Sequence, residues 1–167
     1  SVRLVGSEMC IRDRFKTKSK FQADIGESHE GEILWLISKN YMNESGITVS
    51  KILKSTNLKL NKFVIIHDDL DLSLGEMKLK IGGGHGGHNG LRDIIKIAGQ
   101  DNFMRIRVGI GHPGNKEDVT NWVLTKFSPN EKKLLLNSYL KLEEVFEMIC
   151  NGPVSYTHLT LPTIDPV

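Results

Sequence analysis

The stretch from Phe63 to Gly90 constrains the fold more than any other part of the chain. It opens with Phe63-Val64-Ile65-Ile66, a β-branched and aromatic run suited to a strand buried on both faces. That run leads directly into His67-Asp68-Asp69-Leu70-Asp71. Three carboxylates and an imidazole are thus set at the end of a strand, where side chains of α/β folds converge on ligands. A second strand follows, and then Gly82-Gly83-Gly84-His85-Gly86-Gly87-His88-Asn89-Gly90, in which six of nine residues are glycine and leave backbone N–H groups bare. The expectation is a polar, anion-tolerant site.

Around this stretch the patterns of strand and helix alternate. Lys20 to Ile25 and Glu32 to Ile37 read as a hairpin joined by Gly26-Glu27-Ser28-His29-Glu30-Gly31. Asn43 is placed to cap a helix carrying Ile47, Val49, Ile52 and Leu53 and ending near Asn57. Met77-Lys78-Leu79-Lys80-Ile81 alternates apolar with basic, the mark of a strand with one wet face. His88 to Ala98 has Leu91, Ile94, Ile95 and Ala98 on one helical side, and Phe103 to Ile110 is again a strand, with arginines on one face. Ser128-Pro129-Asn130-Glu131 is a capping box with proline at the first helical position. The helix it opens runs to about Cys150, with Leu135, Tyr139, Leu142, Phe146 and Ile149 as its apolar stripe. The expected fold is α/β, one domain with a mixed twisted sheet flanked by helices.

At 167 residues the chain suffices for one core and is short for two. Cys10 and Cys150 lie far apart with no CxxC spacing, which argues against a disulfide scaffold or zinc knuckle and fits a reducing compartment. No apolar run approaches the roughly 20 residues of a membrane span, so a cytoplasmic location is expected. A net charge of +2 neither demands nor rules out a nucleic-acid partner. The ends read differently from the middle. Residues 1 to 14 show neither strand nor helix pattern, and residues 154 to 167 follow the helix stop Asn151-Gly152-Pro153. Both resemble peptides translated from sequencing adapter, so a domain over 15 to 153 with foreign tails is expected.

Three chemistries compete for the glycine block. Gly82, Gly84 and Gly87 satisfy GxGxxG, the dinucleotide fingerprint. Against it, the preceding strand alternates with lysines where a Rossmann first strand is apolar on both faces, and no acidic residue ends a second strand at the required distance. No Lys-Ser or Lys-Thr follows the glycines, so a P-loop does not fit. A metal site would draw on His67, Asp68, Asp69, Asp71, His85 and His88. A His-x-x-His pair in a glycine loop lacks the helical preorganisation of HExxH. For each histidine alone, a structural hydrogen bond is the simpler role. A binding module without chemistry would use a basic stripe, Lys78 and Lys80 on one strand and Arg105 and Arg107 on another, to hold phosphate backbone. The bland counterpart is a solvated charged face. A pure RNA binder would not need the adjoining carboxylates.

Four blocks together carry a family resemblance: Tyr41-Met42-Asn43-Glu44-Ser45-Gly46, His67-Asp68-Asp69-Leu70-Asp71-Leu72, Gly82 through Asp93, and Arg105 through Gly114. In order and approximate spacing, over about 15 to 153, they resemble the bacterial-type peptidyl-tRNA hydrolases. The GGGHGGHNG block is far more specific than a generic glycine loop. The resemblance implies hydrolysis of the ester between a peptide and the 3′ ribose of tRNA, by a monomer needing neither metal nor cofactor. It implies a histidine general base acting on water and held by an aspartate, the position of Asp68. It places Asn43 and Asn89 on the substrate's peptide and terminal ribose, where an amide both donates and accepts without titrating. Tyr41 would line the terminal pocket at a position often held by Phe. Lys80 and Arg107 would grip the 5′-phosphate end of tRNA, rejecting chains whose phosphate is absent or blocked.

One departure stands against these matches. The family's base sits in an Arg-His-Asn block after Gly-x-x-Asn-Pro-Gly, and this sequence contains neither. No histidine precedes His29, which lies in an acidic turn. This chain is therefore expected to lack the general base and a central strand, and to be inactive and poorly stable by itself. His67, His88 and His112 belong to matched blocks as supporting residues and are not candidates to replace the base, and the roles of these three and of His85 stay open at this stage.

Overall fold

The computed structural model describes residues 15–28 and 33–151. The two tails, the turn around His29 and the side chains of Phe146, Ile149 and Cys150 lie outside the described residues. The described chain forms two compact units, one running up to Phe63 and including Gly82–Phe103, the other formed by Val64–Ile81 and the chain from Met104 onward.

The first unit holds β1 (Lys16–Lys18), β2 (Ala23–Ser28) and β3 (Ile33–Ser38), an antiparallel sheet in the order β1-β2-β3. The expected hairpin forms as the β2–β3 pair, in register Ile25↔Leu36 and Ala23↔Ser38. Its first strand is shifted from residues 20–25 to Ala23–Ser28: Ser19–Phe21 forms a 3-10 turn, and residues 26–28, read as turn, pair with residues 33–35. Helix α1 (Ser45–Thr56) follows a 3-10 turn, Met42–Glu44, and ends on left-handed Asn57 as anticipated. Its start is a correction. Asn43 sits inside the 3-10 turn, Glu44 occupies the cap position, and no cap side chain makes the bond. Instead the Gly46 N–H donates to Asp93 Oδ2 at 2.8 Å, a carboxylate reaching over from α2 (Asn89–Ala98). A negative charge at a helix N-terminus is favourable to its exposed N–H groups. A Cβ on Gly46 would lie 2.6 Å from the Asp93 carbonyl oxygen, so only glycine allows this approach of the two helices. Helix α2 begins one residue later than expected, because His88 is its cap and accepts from the Leu91 N–H at 3.2 Å. Leu91 and Ile94 are buried, each contributing about 1.5–3 kcal/mol.

The second unit is built on β4 (Val64–Asp69), β5 (Met77–Ile81) and β6 (Met104–Gly109), ordered β4-β6-β5. β4 runs parallel to β6 and β5 antiparallel, so the expected mixed sheet is present. Register pairs Met77 with Val108 and Leu79 with Ile106, and all four are buried. Helices α3 (Val119–Leu124) and α4 (Pro129–Asn151) complete the unit. The capping box forms as read: Ser128 N–H donates to Glu131 Oε2 at 2.7 Å and Glu131 N–H to Ser128 Oγ at 3.3 Å. Leu135, Tyr139 and Leu142 of the α4 stripe are buried, and Ser138 Oγ donates to the Gly75 carbonyl at 2.6 Å, holding α4 to the loop before β5. Among the described residues no helix is long and apolar enough to cross a membrane.

Candidate functional site

The two asparagines expected at the substrate share the first unit. The Met42–Glu44 turn sits on the start of α2: a Cβ on Gly90 would lie 2.7 Å from Met42 Sδ and 3.2 Å from Ser45 Oγ. Asn43 and Asn89 therefore stand on touching elements, and both are exposed. With Asp93 supplying the cap of α1, Asn43 is released from the structural duty expected of it. Asn89 accepts from Arg92 Nη1 at 3.2 Å through its Oδ1, so the N–H groups of the amide are what it has left to donate. Tyr41 precedes the turn in extended conformation and is 79% exposed, an unusual position for an aromatic ring and consistent with a ligand-facing one.

The second unit carries Asp68, Lys80 and Arg107. Strand pleating divides them. Asp68 pairs with buried Val108, on the face to which Met77 and Ile106 belong, whereas His67 and Asp69 share the other face with Arg107. Tyr139 of α4 lies on the Asp68 side: burial pushes its phenol up, and the charge of Asp68 adds to the push. Among the described residues the Tyr139 hydroxyl has no hydrogen-bond partner.

β5 and β6 are neighbours, so the four basic residues do form one stripe. Register sets Lys78 opposite Arg107 and Lys80 opposite Arg105, leaving Lys80 and Arg107 as diagonal neighbours on one face, about 7–8 Å apart at their backbones. Each base has its own environment. Arg105 is 2% exposed. Arg107 Nε lies 2.6 Å from Asp69 Oδ2. Lys78 Nζ lies 2.8 Å from Glu76 Oε1. Lys80 is exposed. Burial alone would raise Asp69, but its bond to Arg107 overrides this and holds the carboxyl below its ordinary value, while the same bond raises Arg107. Arg107 is thereby fixed in direction with a carboxylate as counter-charge, and Lys80 is the exposed member of the stripe.

Every described histidine is tied to nearby backbone through Nδ1. His67 donates to the Asp68 carbonyl at 2.7 Å, and His85, His88 and His112 accept from Gly87, Leu91 and Gly114 at 3.1, 3.2 and 2.9 Å. These bonds supply the structural roles that the sequence left open. Among the described residues no three His, Cys, Asp or Glu converge to hold a metal ion.

Sequence reasoning misses two carboxylates. Asp69 reads with Asp68 as one cluster, although alternation along β4 already places neighbours on opposite faces. Asp93 reads only as part of a motif, and its role as a cap reaching 47 positions back has no local signal.

Comparison with known proteins gives a consistent picture. A family model described as peptidyl-tRNA hydrolase matches residues 6–160. The chain is 38% identical over 140 residues to the peptidyl-tRNA hydrolase of Delftia acidovorans, covering 83% of this chain and 68% of that one. It is 39% identical over 137 residues to that of Rickettsia canadensis, covering 81% and 74%. Among solved structures, the peptidyl-tRNA hydrolase of Acinetobacter baumannii superposes with a TM-score of 0.68 at 38% identity, over 86% of this chain and 78% of that one. Its Arg119Gln mutant gives 0.67 at 44% identity, and there the chain spans 62% of the solved protein.

Proposed function

The chain belongs to the peptidyl-tRNA hydrolase family, and from that premise we propose that its residues serve cleavage of the ester joining a peptide to the 3′ ribose of tRNA, by a cytoplasmic monomer without metal or cofactor, the general-base histidine being absent from this sequence. The observation that carries this reading is the seating of the Met42–Glu44 turn on the start of α2, which presents Asn43 and Asn89 from adjoining elements. Two exposed amides on adjoining elements are suited to a peptide and a ribose, both rich in donors and acceptors.

The roles are those that membership of the family implies for the matching positions. A water attacks the ester carbonyl carbon, an imidazole takes its proton, and the carbon–oxygen bond to the ribose breaks as that oxygen regains a proton. Asp68 orients the imidazole and stabilises its protonated form. Asn43 and Asn89 hold the peptide and terminal ribose, Tyr41 lines the pocket for the terminal residue, and Lys80 with Arg107 grips the 5′ phosphate. None of the six histidines stands in an Arg-His-Asn block, so the decisive test supplies one. Residues 15–153 are extended at the N-terminus with the segment of a family member that carries the Arg-His-Asn block, and assayed for ester cleavage of peptidyl-tRNA. Turnover that Asp68→Ala reduces by two orders of magnitude or more is the expected result. Binding of tRNA without cleavage in the restored protein would favour a non-catalytic RNA-binding module instead. Cleavage abolished by chelators and recovered with zinc would favour a metal-dependent hydrolase.

A further inference from the structure

The first unit carries a second concentration of positive charge, on elements that the site does not use. Lys16 and Lys18 alternate with Thr17 on β1, and the register sets them opposite Ile25 and Ala23. Ala23 is in turn opposite Ser38, whose Oγ shares a 3.1 Å hydrogen bond with Thr48 Oγ1 of α1. Residues directly opposite in a sheet share a face. Lys16 and Lys18 therefore belong to the α1 side of the sheet, at its β1 edge.

Two bonds bring the helix lysines to the same place. Lys20, just after β1, donates to Ser55 Oγ at 3.4 Å, and Lys51 donates to Gln22 Oε1 at 2.6 Å. Lys54 lies three positions from Lys51 on the same side of α1. No acidic residue occurs between Phe15 and Gln22 or between Ser50 and Phe63. The nearby carboxylate of Asp24 is on the opposite sheet face, where Lys39 lies 3.0 Å from it and Thr17 donates to it. Glu27 sits on the α1 face two residues beyond Ile25, a diagonal neighbour of Lys16 but at the far end from Lys18, and is one carboxylate against five lysines. Lys54 in the last turn is accounted for by the helix dipole, but that argument does not reach the lysines of β1 or Lys20.

We infer that this face, formed by Lys16, Lys18, Lys20, Lys51 and Lys54, binds the phosphodiester backbone of RNA. Among the lysines stand Ser19, Gln22 and Ser55, the hydroxyl and amide side chains that accompany Lys and Arg at phosphate oxygens. A membrane-binding face would present exposed large apolar side chains to insert, whereas Phe21 beside these lysines is half-buried, with Lys20 Nζ 5.4 Å from its ring centroid. Lys16 and Lys18, two strand residues apart, are separated by about 6.6 Å along β1, comparable to successive phosphates of one strand. Taking RNA as the polyanion rests on the proposed hydrolysis of peptidyl-tRNA, and the body of that tRNA is the occupant. The contact is independent of sequence and of the tRNA's 5′ end.

The test is binding of an uncharged tRNA transcript to the full 167-residue chain, followed by fluorescence anisotropy across a salt series. The triple variant Lys16→Gln/Lys18→Gln/Lys54→Gln spares Lys20 and Lys51, whose bonds hold the elements together. Its slope of log affinity against log salt is expected to fall by about 2–3, near 0.7–0.9 per lysine removed. The loss should be equal for tRNA with a 5′ phosphate and with a 5′ hydroxyl, at unchanged circular dichroism and melting midpoint. An unchanged slope, a loss confined to the 5′-phosphorylated transcript, or no binding of tRNA by the parent chain would overturn the inference. So would binding to phosphatidylserine vesicles that responds to the variant while tRNA binding does not. Failure of the enzymatic reading shows separately, as absent ester cleavage in the restored protein while the lysine-dependent slope persists.

Discussion

Arg107 Nε and Asp69 Oδ2, 2.6 Å apart, join the edge strand β4 to the central strand β6 across the basic face of the mixed sheet. The side chains are 23% and 13% exposed, so the pair is shielded enough to matter more than a surface ion pair. It also accepts the Asp71 N–H at 3.0 Å through Asp69 Oδ1, fixing the turn that follows Asp68.

This pair predicts a pH dependence of stability. Asp69 is held below its ordinary value of 3.8 in the fold. A carboxyl so lowered contributes stability that is complete above its unfolded value and is lost as pH falls through the folded one. Asp69→Asn should therefore lower the unfolding free energy at pH 7 by about 1–3 kcal/mol, and the gap to the parent should narrow at acid pH. Urea melts at pH 7 and near pH 3 test this. A gap that does not change with pH would detach the pair from acid stability.

Gly109 ends β6 where the loop before β5 crosses it. Its N–H donates to the Glu76 carbonyl at 2.7 Å, and its own carbonyl accepts from the Gly75 N–H at 3.0 Å. A Cβ there would fall on the Ser73 carbonyl oxygen, a backbone atom that cannot swing aside. Gly109→Ala should cost about 1–3 kcal/mol, as overpacked sites do, with loss of order in the loop that carries Asp71. A melting midpoint within a degree of the parent would contradict it.

The bond from Gly46 N–H to Asp93 is the cap that α1 otherwise lacks. Asp93→Ala should destabilise by about 1–2 kcal/mol, in the range of lost helix caps, and Asp93→Asn should recover part of that by keeping an acceptor. In the restored enzyme the same change is expected to raise KM more than it lowers kcat, because the turn bearing Asn43 leads directly into α1. An equal effect of both substitutions on stability would show that charge, and not the cap bond, is what Asp93 provides.

How much of this was legible in the chain depended on whether the signal was local. β5 coincides with the alternating Met77–Ile81, and the Ser128–Glu131 box formed both of its bonds, because periodicity and capping act over a few residues. β1, with three exposed residues, has no apolar pattern to betray it, and α3 is a six-residue helix without a periodic stripe. Asn43 as a cap was overridden by a carboxylate from another helix, and the partition of the basic stripe into buried, paired and exposed members needed the β5–β6 register. Local chemistry was readable, while pairings between distant segments were not.

Tyr139 offers the last prediction, and it turns on a hydroxyl. The side chain is buried on α4 and, among the described residues, its oxygen bonds to nothing. Burying an unsatisfied hydroxyl costs about 1–3 kcal/mol, whereas the ring itself fills space between α4 and the sheet face that carries Asp68. Tyr139→Phe keeps the ring and removes the cost. It is expected to raise the melting midpoint by roughly 2–4 °C, the shift of about 1 kcal/mol in a chain of this size, and Tyr139→Ala to lower it through the cavity left behind. Had a water or the Asp68 carboxylate been satisfying the hydroxyl, the Phe variant would melt lower than the parent, and differential scanning calorimetry of the two side by side separates these cases.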